Sequence, residues 1–216
     1  MQCKLKICGI TCLEDALTAA ALGVDWLGFN FYSESLRYIA PEAAVKIINE
    51  LPDRIHSVGI LVKPRFCDIE KIVQISHVQR VQIYEPQDFS DLSSFSVPAI
   101  MCYRVNESRP QDINWQLADM VLLDCFSSHS YGGTGKAFDW TTIPANLPRE
   151  KLILAGGITS DNIQQALETV HPAVIDVATG AEISPGRKDP FKIATLLMIV
   201  REYNRKIETA NYHEIS

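Results

Sequence analysis

The sequence predicts a single-domain (β/α)8 barrel, the TIM-barrel form of the α/β class. Apolar strand-like runs alternate with helical patterns from one end of the chain to the other, as parallel βαβ units do. Eight such runs can be drawn, which fits a closed barrel better than the roughly five or six strands of an open doubly wound sheet. No Pro/Gly/Ser-rich linker or composition break divides the 216 residues, a length at the low end for this fold. The open doubly wound sheet is the alternative that the same alternation allows.

The elements follow in order. Lys4–Gly9 reads as the first strand and Leu13–Leu22 as the first helix. Thr11 and Glu14 fit the S/T-x-x-E capping box at its start, and Gly23 suits its end. Asp25–Phe31 is the second strand, and Pro41 suits the first position of the helix Pro41–Glu50. Ile55–Val62 and Val78–Ile83 are the third and fourth strands, with a helix at Phe66–Ser76 between them. A helix at Gln87–Ser93 leads to the fifth strand, Val97–Tyr103, and a short helix is expected at Arg109–Leu117. Ala118–Asp124 is the sixth strand, followed by a helix at Asp139–Asn146. Lys151–Ala155 is the seventh, followed by a helix at Ser160–Val170, and Val174–Ala178 is the eighth. Asp189 caps the last helix, Pro190–Arg205, which is apolar at Ile193, Leu196, Leu197 and Val200. The catalytic barrel is drawn over residues 1–206, with a frayed polar tail over 207–216.

Composition narrows the function class. Lys plus Arg is 20 and Asp plus Glu is 26, a net charge of −6. With 47% hydrophobic and 21% charged residues the chain has enough apolar surface to fold, which excludes a disordered acidic protein. A net-negative chain is also a poor nucleic-acid binder. The first residues, Met1 to Lys6, lack a charged region leading into an apolar one, and the longest apolar runs, such as Leu196 to Val200, fall far short of the about 20 residues a spanning helix needs. The expectation is a cytoplasmic protein without a membrane partner.

The six cysteines, Cys3, Cys8, Cys12, Cys67, Cys102 and Cys125, form no C-x-x-C pair. Cys8 and Cys12 have no second pair or nearby His to complete a metal site, and His56, His77, His129, His171 and His213 are scattered. No metal site is expected, and the thiols are expected to be reduced.

Ligands of either fold bind at the C-terminal ends of the strands. Alternation puts Lys6 and Cys8 on one face of the first strand and Leu5 and Ile7 on the other. The apolar face packs on the helices, which turns Cys8 inward at the barrel mouth. The same parity pairs Leu122 with Asp124 at the end of the sixth strand. A thiol and a carboxyl therefore face one cavity, although Cys8 also suits a filled layer and Asp124 an N-cap. Gly156 and Gly157 end the seventh strand, and Thr179 and Gly180 the eighth. Paired late loops of this kind bind phosphate through backbone N–H groups, while simple turn chemistry explains either loop alone. Gly132 to Lys136 is not a Walker A motif and reads as a lid or a plain surface loop. Arg37, after a Ser- and Tyr-rich loop, suits two parallel hydrogen bonds to a carboxylate or a solvated surface position.

These residues carry a resemblance. Lys6-Ile7-Cys8-Gly9-Ile10-Thr11 with Glu14-Asp15-Ala16, Leu27-Gly28-Phe29, and Ser35-x-Arg37-Tyr38-Ile39 resemble the phosphoribosylanthranilate isomerase family. So do Leu122-Leu123-Asp124, Gly132-Gly133-Thr134-Gly135-Lys136 and Ala155-Gly156-Gly157-Ile158. Asp176-Val177-x-Thr179-Gly180-x-Glu182 and Pro185-Gly186-x-Lys188-Asp189 close the pattern, which runs in order over about residues 4 to 190. The resemblance implies a cofactor-free barrel, monomeric or homodimeric, acting on a phosphorylated sugar in tryptophan biosynthesis. It implies the Amadori rearrangement of N-(5-phosphoribosyl)anthranilate to 1-(2-carboxyphenylamino)-1-deoxyribulose 5-phosphate. It assigns Cys8 as general base and Asp124 as general acid, Arg37 to the anthranilate carboxylate, and the loops of Gly156, Gly157, Thr179 and Gly180 to the phosphate.

Two departures stand out. The family ends its fourth strand in Gln-Leu-His-Gly, and this chain has Gln82-Ile83-Tyr84-Glu85. The family's Ser-Ser-Gly after the eighth strand is Ala178-Thr179-Gly180. The alternatives are a histidine-pathway or bifunctional sugar-phosphate isomerase, against which Cys8 counts, and a non-catalytic phosphate-binding descendant, which the altered fourth strand motivates.

Overall fold

The computed structural model describes residues 1–87, 92, 94–105, 113–125 and 138–214. Eight parallel strands close into a barrel in sequence order. They are β1 (Lys4–Cys8), β2 (Trp26–Asn30), β3 (His56–Val62), β4 (Arg80–Tyr84), β5 (Ala99–Val105), β6 (Met120–Cys125), β7 (Leu152–Leu154) and β8 (Val174–Val177). Pairing of β1 with β8, Lys4 opposite Val174 through Ile7 opposite Val177, completes the ring. The open doubly wound alternative is thereby corrected. Adjacent strands need crossovers on the same side, and eight short units supply just enough of them for closure.

Five α-helices are described: α1 (Leu13–Leu22), α2 (Pro41–Ile48), α3 (Phe66–Ser76), α4 (Ile163–Val170) and α5 (Pro190–Glu214). Strand alternation sorts the side chains into two layers. Leu5, Ile7, Leu27, Phe29, Leu123 and Leu154 point outward into the core shared with α1, α4 and α5. Val58, Ile100, Leu122, Ile153 and Val174 fill the barrel interior, with Cys8 packed against them.

Several local expectations are revised. No capping box forms at α1: its N-cap is Cys12, without a side-chain cap bond. The Thr11 hydroxyl instead donates to the Gly186 carbonyl at 2.7 Å, so it ties the first loop to the last one. Gly23 does cap the other end, at φ 101°. The helix expected over Asp139–Asn146 is a single 3-10 turn, Trp140–Thr142. Ile143 precedes Pro144, which disfavours helical backbone there, and Ile143 is extended. Asp189 caps α5 as expected, accepting from Phe191 N at 2.9 Å. That helix runs on to Glu214, through residues expected to fray. The expected helix at Gln87–Ser93 and the loop Gly132 to Lys136 lie wholly or largely outside the described residues, whereas the described part of the helix expected at Arg109–Leu117, residues 113–117, is turn and irregular backbone. Among the described residues no helix is long and apolar enough to cross a membrane.

Candidate active site

A cavity of about 310 Å³ opens at the C-terminal ends of the strands. Cys8, Arg37, Asp124, Gly156, Gly157, Thr179 and Gly180, the seven residues singled out from the sequence, all line it. Their positions follow from the parity of β1 and β6 and from the loops that leave β7 and β8.

Asp124 sits near the end of β6, 4% exposed. Its Oδ2 accepts a hydrogen bond from the Tyr84 hydroxyl at 3.1 Å. Burial pushes the Asp124 carboxyl up to about 6, against the hydrogen bond from Tyr84, and the nearby Asp176 adds to the rise. Cys8 ends β1 and is partly exposed, into the cavity. Burial raises its thiol above the ordinary value. The positive charges of Lys6, Lys188 and Arg37 oppose that rise, and Asp176 reinforces it. The Lys6 ammonium favours the thiolate, but desolvation of the sulfur outweighs it.

The fork of Arg37 is already held. Its Nε donates to Glu182 Oε1 at 2.9 Å and its Nη2 to Glu182 Oε2 at 2.7 Å. Nη2 also reaches the Thr179 hydroxyl at 3.2 Å. Glu182 is 4% exposed and takes a second cation, Lys188 Nζ, at 2.7 Å. Burial opposes the Glu182 charge, but Arg37 and Lys188 together hold its carboxyl below the ordinary value. Lys188 Nζ also donates to the Cys8 carbonyl at 2.6 Å, so the hairpin β9 (Glu182–Ser184) and β10 (Arg187–Lys188) is pinned to the end of β1. A 3-10 turn at Thr179–Ala181 precedes this hairpin.

The two late loops converge. Gly156 has φ 86° and Gly157 φ 66°, a backbone that side chains rarely adopt. Gly180 packs so closely on the seventh loop that a Cβ there would lie 2.1 Å from the Ile158 carbonyl oxygen. Asn162 holds the loop shape: its Nδ2 donates to the Gly157 carbonyl at 2.8 Å and its Oδ1 accepts from Thr159 N at 2.9 Å. This bridging turn explains why α4 starts at Ile163 and not at Ser160. Lys192, in the first turn of α5, lines the same side of the cavity. The arrangement offers backbone N–H groups and a cation to an anion.

A polar chain under the cavity was not foreseen. Lys6, with 0% exposure, donates from Nζ to Asp176 Oδ2 and to Gln82 Oε1, each at 2.8 Å. Gln82 Nε2 continues to the Tyr84 hydroxyl at 3.3 Å. The available signal was parity: Lys6, Gln82 and Asp176 interrupt otherwise apolar strands at inward positions. Asp176 Oδ1 is buried without a hydrogen-bond partner among the described residues, and Asp176 lines the cavity. Glu85, replacing a glycine of the resembled family, keeps a left-handed backbone at φ 48°. Its carboxylate faces Lys63 at 3.7 Å and Arg104 at 3.2 Å. The described residues hold no cluster of three or more His, Cys, Asp or Glu able to bind a metal.

Comparison with known proteins shows the family. The family model for N-(5'-phosphoribosyl)anthranilate (PRA) isomerase matches residues 5–198. An N-(5'-phosphoribosyl)anthranilate isomerase from Geobacter sulfurreducens is 41% identical over 193 residues, covering 88% of this chain and 94% of its own. The crystal structure of phosphoribosyl anthranilate isomerase from Thermotoga maritima superposes with a TM-score of 0.83 at 33% identity. The match covers 93% of this chain and all of that one. A structure of phosphoribosyl anthranilate isomerase in complex with reduced 1-(o-carboxyphenylamino)-1-deoxyribulose 5-phosphate gives a TM-score of 0.75 at 29% identity, covering 93% of this chain and 100% of that chain.

Proposed function

This chain belongs to the phosphoribosylanthranilate isomerase family, and we propose from that premise that Cys8 and Asp124 are its acid–base pair. The protein is an isomerase of tryptophan biosynthesis that converts N-(5-phosphoribosyl)anthranilate to 1-(2-carboxyphenylamino)-1-deoxyribulose 5-phosphate. The observation that carries the assignment of roles is that a buried carboxyl raised to about 6 and a thiol line the same cavity mouth.

The chemistry runs in three steps. Protonated Asp124 gives its proton to the ribose ring oxygen, and the C1–O bond breaks to leave a protonated Schiff base. That cation makes the C2 proton acidic. The thiolate of Cys8 removes it, giving an enolamine that tautomerises to the ketose. Each step needs a group that moves a proton at a defined atom, which is what general acid–base catalysis supplies.

The substrate is proposed to lie with its phosphate on the loops of Gly156, Gly157, Thr179 and Gly180. Both loops and Lys192 line the cavity, where loop backbone N–H groups and a cation can hold an anion. With a net charge of −6 the protein offers an anionic substrate no global attraction, so local donors must hold it. Arg37 is proposed to receive the anthranilate carboxylate while remaining anchored on Glu182. A charge-assisted hydrogen bond is worth about 1.5–3 kcal/mol, so Arg37→Ala is expected to raise KM roughly 10- to 100-fold with a smaller change in kcat. Steady-state kinetics read this directly, and an unchanged KM moves the carboxylate site elsewhere.

We further propose that residues 1–206 act as one catalytic unit, as a cytoplasmic monomer or homodimer, with no nucleic-acid or membrane partner. The test of the function is turnover of freshly made N-(5-phosphoribosyl)anthranilate by the purified protein without added cofactor. Appearance of the deoxyribulose product is the expected result. Binding of a reduced product analogue with no turnover would sink the enzyme reading in favour of a phosphate-binding descendant.

A further inference from the structure

We propose that Tyr84 is a positioning residue that fixes which oxygen of Asp124 carries the reactive proton, an inference that rests on the acid role given to Asp124 above. The Lys6 ammonium can only donate hydrogen bonds. It gives one to Gln82 Oε1 at 2.8 Å. With its carbonyl oxygen so engaged, Gln82 turns its amide N–H to the Tyr84 hydroxyl at 3.3 Å. The hydroxyl accepts that bond and directs its own hydrogen to Asp124 Oδ2 at 3.1 Å. One donor-only cation therefore sets the direction of the whole chain, Lys6 to Gln82 to Tyr84 to Asp124.

Asp124 Oδ2 is thus held as an acceptor. The proton it donates to substrate then belongs on Oδ1, the oxygen that lies 3.0 Å from where a Cβ on Gly156 would sit, beside the seventh loop. Other groups face this pair. The Cys102 thiol also touches the Tyr84 hydroxyl, but burial keeps it well above the ordinary thiol range, so it is a weak neutral competitor. Asp176 and Arg104 act on Asp124 with opposite signs, and the Cys125 backbone N–H bonds to it. Cys8 and Asp176 face Tyr84 as well. Tyr84 is 4% exposed, so the bond to Asp124 is shielded from water. The departure at the end of β4 thus places a hydroxyl donor where the resembled family has an imidazole.

The test compares the unsubstituted protein with Tyr84→Phe and Tyr84→His across pH. Tyr84→Phe keeps the ring and its packing and removes only the hydroxyl. Loss of a partner that orients a reacting group typically lowers activity about 10- to 100-fold, so kcat is expected to fall by that order while KM changes little. A donor to the ionised carboxylate lowers its pKa, so its loss moves the acid limb of the kcat/KM profile to higher pH. Tyr84→His, which restores a donor, is expected to move the limb back and recover part of kcat. Turnover with superimposable profiles for Tyr84→Phe and the unsubstituted protein overturns this inference alone. A fall in kcat with the limb unmoved and no recovery in Tyr84→His also overturns it, because packing then accounts for the loss. Absence of turnover by the unsubstituted protein overturns the functional reading and this inference with it.

Discussion

Cys8→Ala is expected to lower kcat by on the order of 10²–10⁴, the range for removal of a general base. Cys8 ends β1 with its sulfur on the inward face, and Lys188 Nζ fixes its carbonyl at 2.6 Å. The substitution removes one atom next to a cavity and leaves that backbone bond in place. The fold should therefore persist, with a stability change on the order of 1 kcal/mol. Among the described residues Cys8 is the only cysteine that lines the cavity. Cys102 points into the barrel but is raised well above the ordinary thiol range by burial, and Cys3 is pushed up to about 12. Single-turnover and steady-state rates with N-(5-phosphoribosyl)anthranilate measure the effect. A Cys8→Ala variant that keeps full kcat makes the thiol a mere filler of the barrel layer.

Asp124→Asn is expected to cause a loss of the same order, 10²–10⁴ in kcat, by removing the proposed general acid. Asparagine matches the carboxyl in shape, and its carbonyl oxygen can still accept from the Tyr84 hydroxyl. What disappears is the transferable proton. Burial already disfavours the charge at this position, so the neutral amide should not destabilise the barrel. The variant should bind a reduced product analogue about as well as the parent, which separates loss of chemistry from loss of binding. Near-full turnover in this variant would mean that ring opening takes its proton from another group.

Much of the site was legible because strand parity is a strict geometric rule. Cys8 and Asp124 each end an apolar strand at an inward position, and the loops after β7 and β8 announce themselves by glycine. Even the left-handed backbone at Glu85 is consistent with the glycine expected there. What the chain order hides is long-range pairing. Nothing local to Arg37 tells that its partner is Glu182, 145 residues away, or that Thr11 bonds Gly186 and not its own helix. Those contacts exist because barrel closure brings β1 beside β8, and closure is a property of the whole ring. The same holds for the charge on Cys8. Sequence shows Lys6 beside it, but only the packed interior shows that desolvation outweighs the lysine. Local proline chemistry, by contrast, explains the missing helix before Pro144 and was available from the start.

The pH dependence of kcat/KM for the unsubstituted protein tests the acid–base pair most directly. Below about 6 both groups carry protons, and Cys8 cannot act as base. Above the raised range of the Cys8 thiol both have lost them, and no acid is left. Between these limits the pair holds one proton, and a fraction of it is the reactive form with thiolate and protonated carboxyl. The expected result is a bell-shaped profile with its acid limb near 6 and its alkaline limb above the ordinary thiol range. A profile that runs flat through the acid limb, or one whose limbs survive unchanged in Cys8→Ala and Asp124→Asn, would contradict the assignment.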